Sequence, residues 1–374
     1  MQFTCTKENL SYALNLVSSV AGKQSNLPIL SNVLITVTDS AVELSATNLE
    51  IGVKAHLRAK VDSPGSFTVP AKTLTEFVGL LSGDQVQITQ QENELAIEGA
   101  RSNTKIKGMP GEEFPVIPEF VEGKSFALDR SALKNALSQV VFAASKSEVR
   151  PELSGVYFGF GAGENVGLTL AATDSYRLAE KRIPVAQGND EIGCIVPART
   201  AGEFIRLLSL SEGIEKEKNV RFFVGESQVA LRYDAFEITS RLIAGRYPDY
   251  KQIIPTEFKT TALFSKGQMV SSVKAASLFS TTGVNAVNIK LNPLAQATTI
   301  SSTSSQAGAY ETQLDIQGEG QENAIVLNHR YLLDGMSHLE GDEILIQMNS
   351  ADAPCLLRSK EDADYLYLVM PIRQ

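Results

Sequence analysis

The sequence predicts an α+β chain of three similar domains, each holding two helices against antiparallel sheets. Three observations carry this reading. A strand–cap–helix segment occurs three times, a second strand–helix segment follows it each time, and alternating apolar–polar runs fill the intervals. A length of 374 residues is more than one domain usually holds and suits two or three.

The first helices come from "FTCTKENLSYALNLV" starting at Phe3, "FALDRSALKNALSQV" at Phe126 and "ALFSKGQMVSSVKAA" at Ala262. In each, an apolar strand meets a small polar residue and then a basic one: Thr6-Lys7, Asp129-Arg130 and Ser265-Lys266. Thr, Asp and Ser are good N-caps because their side-chain oxygens accept from the free N–H groups of the first turn. Apolar residues then recur at helical spacing: Leu10, Leu14, Val17; Leu133, Leu137, Val140; Met269, Val273, Ala276.

The second helices come from "FTVPAKTLTEFVGLL" ending at Leu81, "CIVPARTAGEFIRLL" ending at Leu208 and "AIVLNHRYLLDGMSHL" ending at Leu339. Again a strand enters and a basic residue opens the helix: Lys72, Arg199, Arg330. Runs such as "NVLITVTDSAVELSATNLEIGVKAHL" and "VRFFVGESQVALRYDAFEITSRLI" read as antiparallel hairpins. Each unit is therefore strand–helix–three strands, twice over. "IKGMPGEEFPVIP" and "RLIAGRYPDYKQIIP" close the first two units with prolines that favour extended linkers, and "YLVMPIRQ" closes the third. The expected domains are 1–120, 125–250 and 256–374.

Hydrophobic content of 43% and charged content of 21% are ordinary for a globular protein. No apolar run approaches the roughly 20 residues of a membrane helix, and "MQFTCTKENL" lacks the basic and apolar regions of a signal peptide. Cys5, Cys194 and Cys355 are too scattered for a disulfide framework or zinc knuckle, so a reducing cytoplasm is expected.

Nothing catalytic emerges, and no cofactor or metal is expected. Gly159, Gly161 and Gly163 precede another β-run, where a dinucleotide fingerprint would have to open a helix. His56, His329 and His338 share no metal-ligand spacing, and Glu112-Glu113 lies in a Pro-rich linker as solvated charge.

The cations are more informative. Lys7, Lys72, Arg130, Arg199, Lys266 and Arg330 each open a helix, where a positive charge is unfavourable by roughly 0.3–1 kcal/mol. Six such choices point to a shared anionic partner, and duplex DNA presents about one charge per 1.7 Å. Ser11, Asn15, Ser18, Ser19, Asn135, Ser138, Gln139, Ser271 and Ser272 add short neutral side chains that contact phosphate without reading bases. A net charge of −9 opposes simple nucleic-acid binding, unless the acidic turns, such as "EKEK" at 215–218, face away from the cations.

"LPILSNVLI" (27–35), "VPAK" (69–72), "LAATDSYRLA" (170–179), "IVPAR" (195–199), "GRYPDY" (245–250) and "YLVMPIR" (367–373) occur in this order on the triple repeat. With them the whole chain resembles the bacterial DNA polymerase III β subunit family, the replicative sliding clamps. The resemblance implies a DNA clamp fold and a head-to-tail homodimer that closes a six-domain ring, with helices lining the hole and sheets outside. It implies a non-catalytic processivity factor on double-stranded DNA, indifferent to sequence. Its partners would be the replicative polymerase catalytic subunit, a clamp loader and other proteins carrying a clamp-binding motif, with no membrane involved.

Carried over by position, Leu153, Thr173, Ser175, Tyr176, Arg177 and Leu178 would line one side of a partner-peptide pocket. Pro248 and Ile253 would form its floor, and Met370, Pro371, Ile372 and Arg373 would close it. Tyr176 stands where the family often has His, and Gln252 where it often has a basic residue, and both bear on partner choice. The loop at 21–26 would reach DNA through Lys23 and Gln24, and the loop at 145–150 through Lys146 and Arg150, followed here by Pro151 and Glu152 where aromatics are sometimes found. Ile106, Leu278 and Phe279 are the expected dimer contacts. A peptide-binding scaffold that does not encircle DNA is the alternative, and an enzyme with a site between duplicated domains is a third reading.

Overall fold

The computed structural model describes residues 1–22, 27–117, 119–120, 123–161, 167–211 and 217–373. The first repeat runs β1 (Gln2–Thr6), α1 (Lys7–Val17), β2 (Asn32–Val37), β3 (Val42–Thr47), β4 (Ile51–Leu57), β5 (Ala59–Ser63), β6 (Gly65–Pro70), α2 (Ala71–Leu80), β7 (Gln85–Gln91), β8 (Glu94–Glu98), β9 (Asn103–Lys107) and β10 (Met109–Pro110). The second runs β11 (Lys124–Asp129), α3 (Arg130–Val140), β12 (Gly155–Gly161), β13 (Gly167–Thr173), β14 (Arg177–Ile183), β15 (Ile192–Pro197), α4 (Ala198–Leu210), β16 (Asn219–Val224), β17 (Gln228–Tyr233) and β18 (Phe236–Arg241). The third runs β19 (Thr260–Ser265), α5 (Lys266–Ser277), β20 (Ala286–Asn292), β21 (Ala297–Ser304), β22 (Gly308–Asp315), β23 (Gln317–Gly320), β24 (Asn323–Asn328), α6 (His329–His338), β25 (Glu343–Met348), β26 (Cys355–Ser359) and β27 (Tyr365–Val369). The doubled strand–helix–three-strand unit is present in every repeat, with β5, β10 and β23 as short additions.

Local chemistry explains the helix starts, with two departures from the sequence reading. Thr6 caps α1 by accepting from Asn9 N, and Asn328 caps α6 by accepting from Arg330 N. Ser265 occupies the cap position of α5, yet its side chain makes no cap bond. The orphan N–H of Lys266 is taken instead by the Asp342 carbonyl, as Lys7 N is by Asp84 and Arg130 N by Lys218. Lys72, Arg199 and Arg330 are the second residues of their helices, behind Ala71, Ala198 and His329. Gly159 and Gly161 lie in β12, which pairs with β13, and Gly163 lies outside the described residues.

Two compact units result, and the middle repeat is shared between them: Met1–Arg130 with Ala186–Gly188 and Arg206–Leu242, and Ser131–Val185 with Asn189–Ile205 and Ile243–Gln374. The first unit holds a five-stranded sheet, β5-β1-β7-β8-β9, and a nine-stranded sheet, β10-β6-β2-β3-β4-β18-β17-β16-β11. The second holds a nine-stranded sheet, β15-β12-β13-β14-β27-β26-β25-β19-β23, and a four-stranded sheet, β22-β21-β20-β24. Each nine-stranded sheet thus joins strands of successive repeats, through β4·β18 in one unit and β14·β27 in the other. The helices bury apolar stripes such as Leu10, Leu14 and Val17 of α1, as their spacing requires.

Candidate functional site

The β13–β14 turn is shaped by its own side chains. Asp174 Oδ1 accepts from the N–H groups of Tyr176 and Arg177, both at 3.0 Å. Thr173 Oγ1 accepts from Ser175 N at 3.1 Å and donates to the Arg177 carbonyl at 2.6 Å. These bonds hold Ser175 at φ 76°, a left-handed conformation that costs a non-glycine residue roughly 1–2 kcal/mol. Tyr176 is thereby turned outward, 63% exposed, and Arg177 inward.

The first unit builds its β3–β4 turn the same way. Asn48 Oδ1 accepts from Glu50 and Ile51, Thr47 Oγ1 donates to the Ile51 carbonyl, and Leu49 sits at φ 76°. Two turns share one scaffold, but only the second places a charge where the first has Ile51.

That charge is fully engaged. Arg177 Nε meets Asp174 Oδ2 at 3.0 Å, Nη1 meets Asp334 Oδ2 at 2.6 Å, and Nη2 donates to the Phe142 carbonyl at 2.9 Å. Its guanidinium lies 4.7 Å from the Tyr331 ring centre and 5.4 Å from that of Phe142. Arg177 therefore holds the turn to α6 and is not a loose arm of the rim.

The terminal segment completes the site. β27 is an interior strand between β14 and β26, with Arg177 opposite Val369. Beyond it, Met370 N donates to the Tyr176 carbonyl and Ile372 N to the Val326 carbonyl, both at 2.8 Å. Met370, Pro371 and Ile372 are half-buried and Arg373 is exposed. Beneath them, Leu153, Leu178, Tyr247, Tyr250 and Leu368 form a buried cluster against which Met370 and Ile254 pack. Tyr250 donates to Glu180 Oε2 at 2.6 Å, which ties the "GRYPDY" segment to β14. Burial, together with the nearby Glu180 carboxylate, pushes the Tyr250 phenol far above its ordinary pKa.

Of the sequence-predicted pocket residues, Leu153, Leu178 and Met370 meet in this cluster, while Thr173 and Arg177 are buried beside it. Ser175 and Tyr176 form an exposed lip, and Pro248 is half-buried. Ile253 is 42% exposed, and its neighbour Ile254 makes the packing contact expected of it. Asp174, Asp334, Tyr331 and Glu180 were not singled out from sequence. The Thr–Asp pair before a turn was the one local signal for any of them.

The cations divide into two sets. Lys7 Nζ donates to the Gly79 and Leu81 carbonyls, Arg130 Nη1 to the Leu208 carbonyl, and Lys266 Nζ to the Leu339 carbonyl. Lys72, Lys146, Arg199 and Arg330 are exposed, with Glu76 at 3.8 Å from Lys72. Arg150 pairs with Glu152 at 3.0 Å. Lys23 and Gln24 lie outside the described residues, as do the first two residues of "EKEK", whose Lys218 pairs with Asp129.

Ile106 is 7% exposed on β9, an edge strand. Leu278 is 73% exposed just past α5, and Phe279 stacks on Tyr310 of β22, another edge strand, at 5.7 Å. Among the described residues no group of His, Cys, Asp or Glu could hold a metal, and no helix is long and apolar enough to cross a membrane. The three cysteines are buried, and burial pushes their thiols up to about 12.

Family models for the DNA polymerase III beta subunit match residues 1–118 (N-terminal domain), 127–249 (central domain) and 251–373 (C-terminal domain). The beta sliding clamp of Staphylococcus epidermidis is 26% identical over 383 residues, covering 100% of this chain and 99% of its own. The DNA polymerase III beta subunit of Thermotoga maritima and the DNA polymerase sliding clamp of Bacillus subtilis each superimpose with a TM-score of 0.92 at 27% identity, over 100% of this chain and 99% of theirs. Repeat architecture, family models and relatives agree over the full length, and the chain belongs to the DNA polymerase III beta subunit family, the beta sliding clamps.

Proposed function

We propose that two copies of this chain close head to tail around duplex DNA and slide on it without reading sequence. The observation that carries this reading is a gap in the sheet pattern. β18 ends the second repeat and pairs with β4 of the first; β27 ends the third and pairs with β14 of the second. The strands equivalent to these two sets are β9 and β22, and both are open edges. A second copy supplies what each lacks.

Open edges left flat and long invite pairing. β22 is eight residues with no buried side chain, carrying exposed Glu311 and Asp315, whereas β9 carries exposed Lys105 and Lys107. Opposite charges therefore face each other across the junction, and Ile106, Leu278 and Phe279 supply its apolar contacts. Domains at 1–120, 125–250 and 256–374 fit this scheme.

Within the closed dimer, exposed Lys72, Lys146, Arg199 and Arg330 give the DNA-facing charge, joined by Lys23 and Arg150 and by Gln24 as a neutral contact. The lip of Ser175 and Tyr176, with Pro248, Ile253 and Met370–Arg373, takes an extended peptide with apolar anchors from the polymerase catalytic subunit, the clamp loader or other motif-bearing partners. Met suits a pocket that serves several ligands. Three buried free thiols suit the cytoplasm. Loading on nicked circular DNA by an ATP-driven loader tests this reading. A scaffold that only binds peptides would be captured by the peptide and never retained on the circle.

A further inference from the structure

A helix C-terminus presents unpaired carbonyls and a partial negative charge, which a basic residue in its own last turn can meet. α1, α2, α3 and α4 have none there. Each receives one from elsewhere: Arg206 donates to the Asn15 and Leu16 carbonyls of α1, Lys7 to Gly79 and Leu81 at the end of α2, and Arg130 to Leu208 of α4. Arg177 reaches the Phe142 carbonyl just past α3, and Lys266 reaches Leu339 just past α6. The same exchange occurs in all three repeats: the first residue of the first helix closes the end of the second.

We propose that Lys7, Arg130 and Lys266 are positioning residues, each locking the end of its repeat's second helix and withheld from phosphate. The phosphate-contacting set is then the cation at the exposed start of those second helices: Lys72, Arg199 and Arg330. This assignment rests on the DNA reading for its second half, whereas the lock stands on the hydrogen bonds alone. It also accounts for a cation at an unfavourable helix start. Lys7, Arg130 and Lys266 sit beside the positive end of their own helix but complete the negative end of another, and the bonds made there offset the cost at their own helix start.

The test uses the full chain, a short linear duplex titrated over a series of KCl concentrations, and thermal melting. Lys7→Met, Arg130→Met and Lys266→Met, made singly so that each folds, should lower Tm by about 2–4 °C or more and leave the slope of log K against log[salt] unchanged. Lys7→Arg and Lys266→Arg should restore most of the Tm. Neutralising Lys72, Arg199 and Arg330 together to Gln should reduce the slope by roughly 2.7 and leave Tm in place, at about 0.9 for each phosphate contact. A slope lowered by Lys7→Met with an unchanged Tm would overturn the lock. A wild-type chain with no salt-dependent binding would overturn the phosphate assignment and the DNA reading together, while the melting data would still decide the lock.

Discussion

Ser175 and Arg177 show how new side chains on a repeated turn scaffold make a site. The Thr–Asx turn is built twice, at Thr47–Ile51 and at Thr173–Arg177, with the same hydrogen bonds and the same φ of 76° at its third residue. Only the second turn buries a guanidinium, satisfied by Asp174, Asp334 and Phe142. Arg177→Ala should therefore act first on stability, costing roughly 3 kcal/mol by removing a buried guanidinium and leaving the half-buried Asp174 without its partner, and chemical denaturation reads this directly. Met370→Ala should leave stability nearly unchanged and weaken a polymerase-tail peptide about tenfold, because Met370 is half-buried on a cluster that packs without it. Equal stability losses in both variants would place Met370 in the core and remove it from the site. Ser175→Gly should stabilise the chain by up to about 1 kcal/mol, since glycine adopts this φ without strain.

Helix and hairpin identities were legible because caps, periodicity and turn residues are local. Thr6 and the Leu10–Leu14–Val17 stripe specify α1 within fifteen residues of chain, and the structure keeps them. The partners of the helix-opening cations were not legible, because Lys7 meets a carbonyl more than seventy residues away and no local pattern encodes that. The inward turn of Arg177 was hidden for the same reason: Asp334 lies far along the chain on α6. The place of β27 between β14 and β26 follows from a pairing across repeats, which no local pattern encodes either.

α6 also carries a pH dependence. His329, its first residue, is buried with Nδ1 unpartnered among the described residues, and burial followed by the nearby Arg330 charge lowers its pKa from 6.5. The unfolded chain then binds more protons than the folded one just below pH 6.5, so the contribution is intact above that value and is lost as pH falls. Melting between pH 5 and 7.5 should show an acid-side drop that His329→Asn flattens; identical profiles would remove His329 from the account.

For the whole molecule, the proposed assembly rests on the open edges of β9 and β22. Replacing Leu278 and Phe279 with Asp should give folded monomers, because unpaired charge in an apolar contact is costly. Light scattering should return twice the chain mass for wild type and a single chain mass for the variant. Deleting Met370 to Gln374 should leave the dimer intact, since β27 and the edge strands remain, yet abolish peptide binding.

The measurement that bears most directly on encirclement compares closed circular with linearised DNA after loading. Salt screens phosphate attraction but cannot undo a topological link. In high salt the loaded protein should stay on the closed circle through gel filtration and leave within the same run once the circle is cut. Equal loss from circular and linear DNA would contradict the ring and make this chain a conventional electrostatic binder.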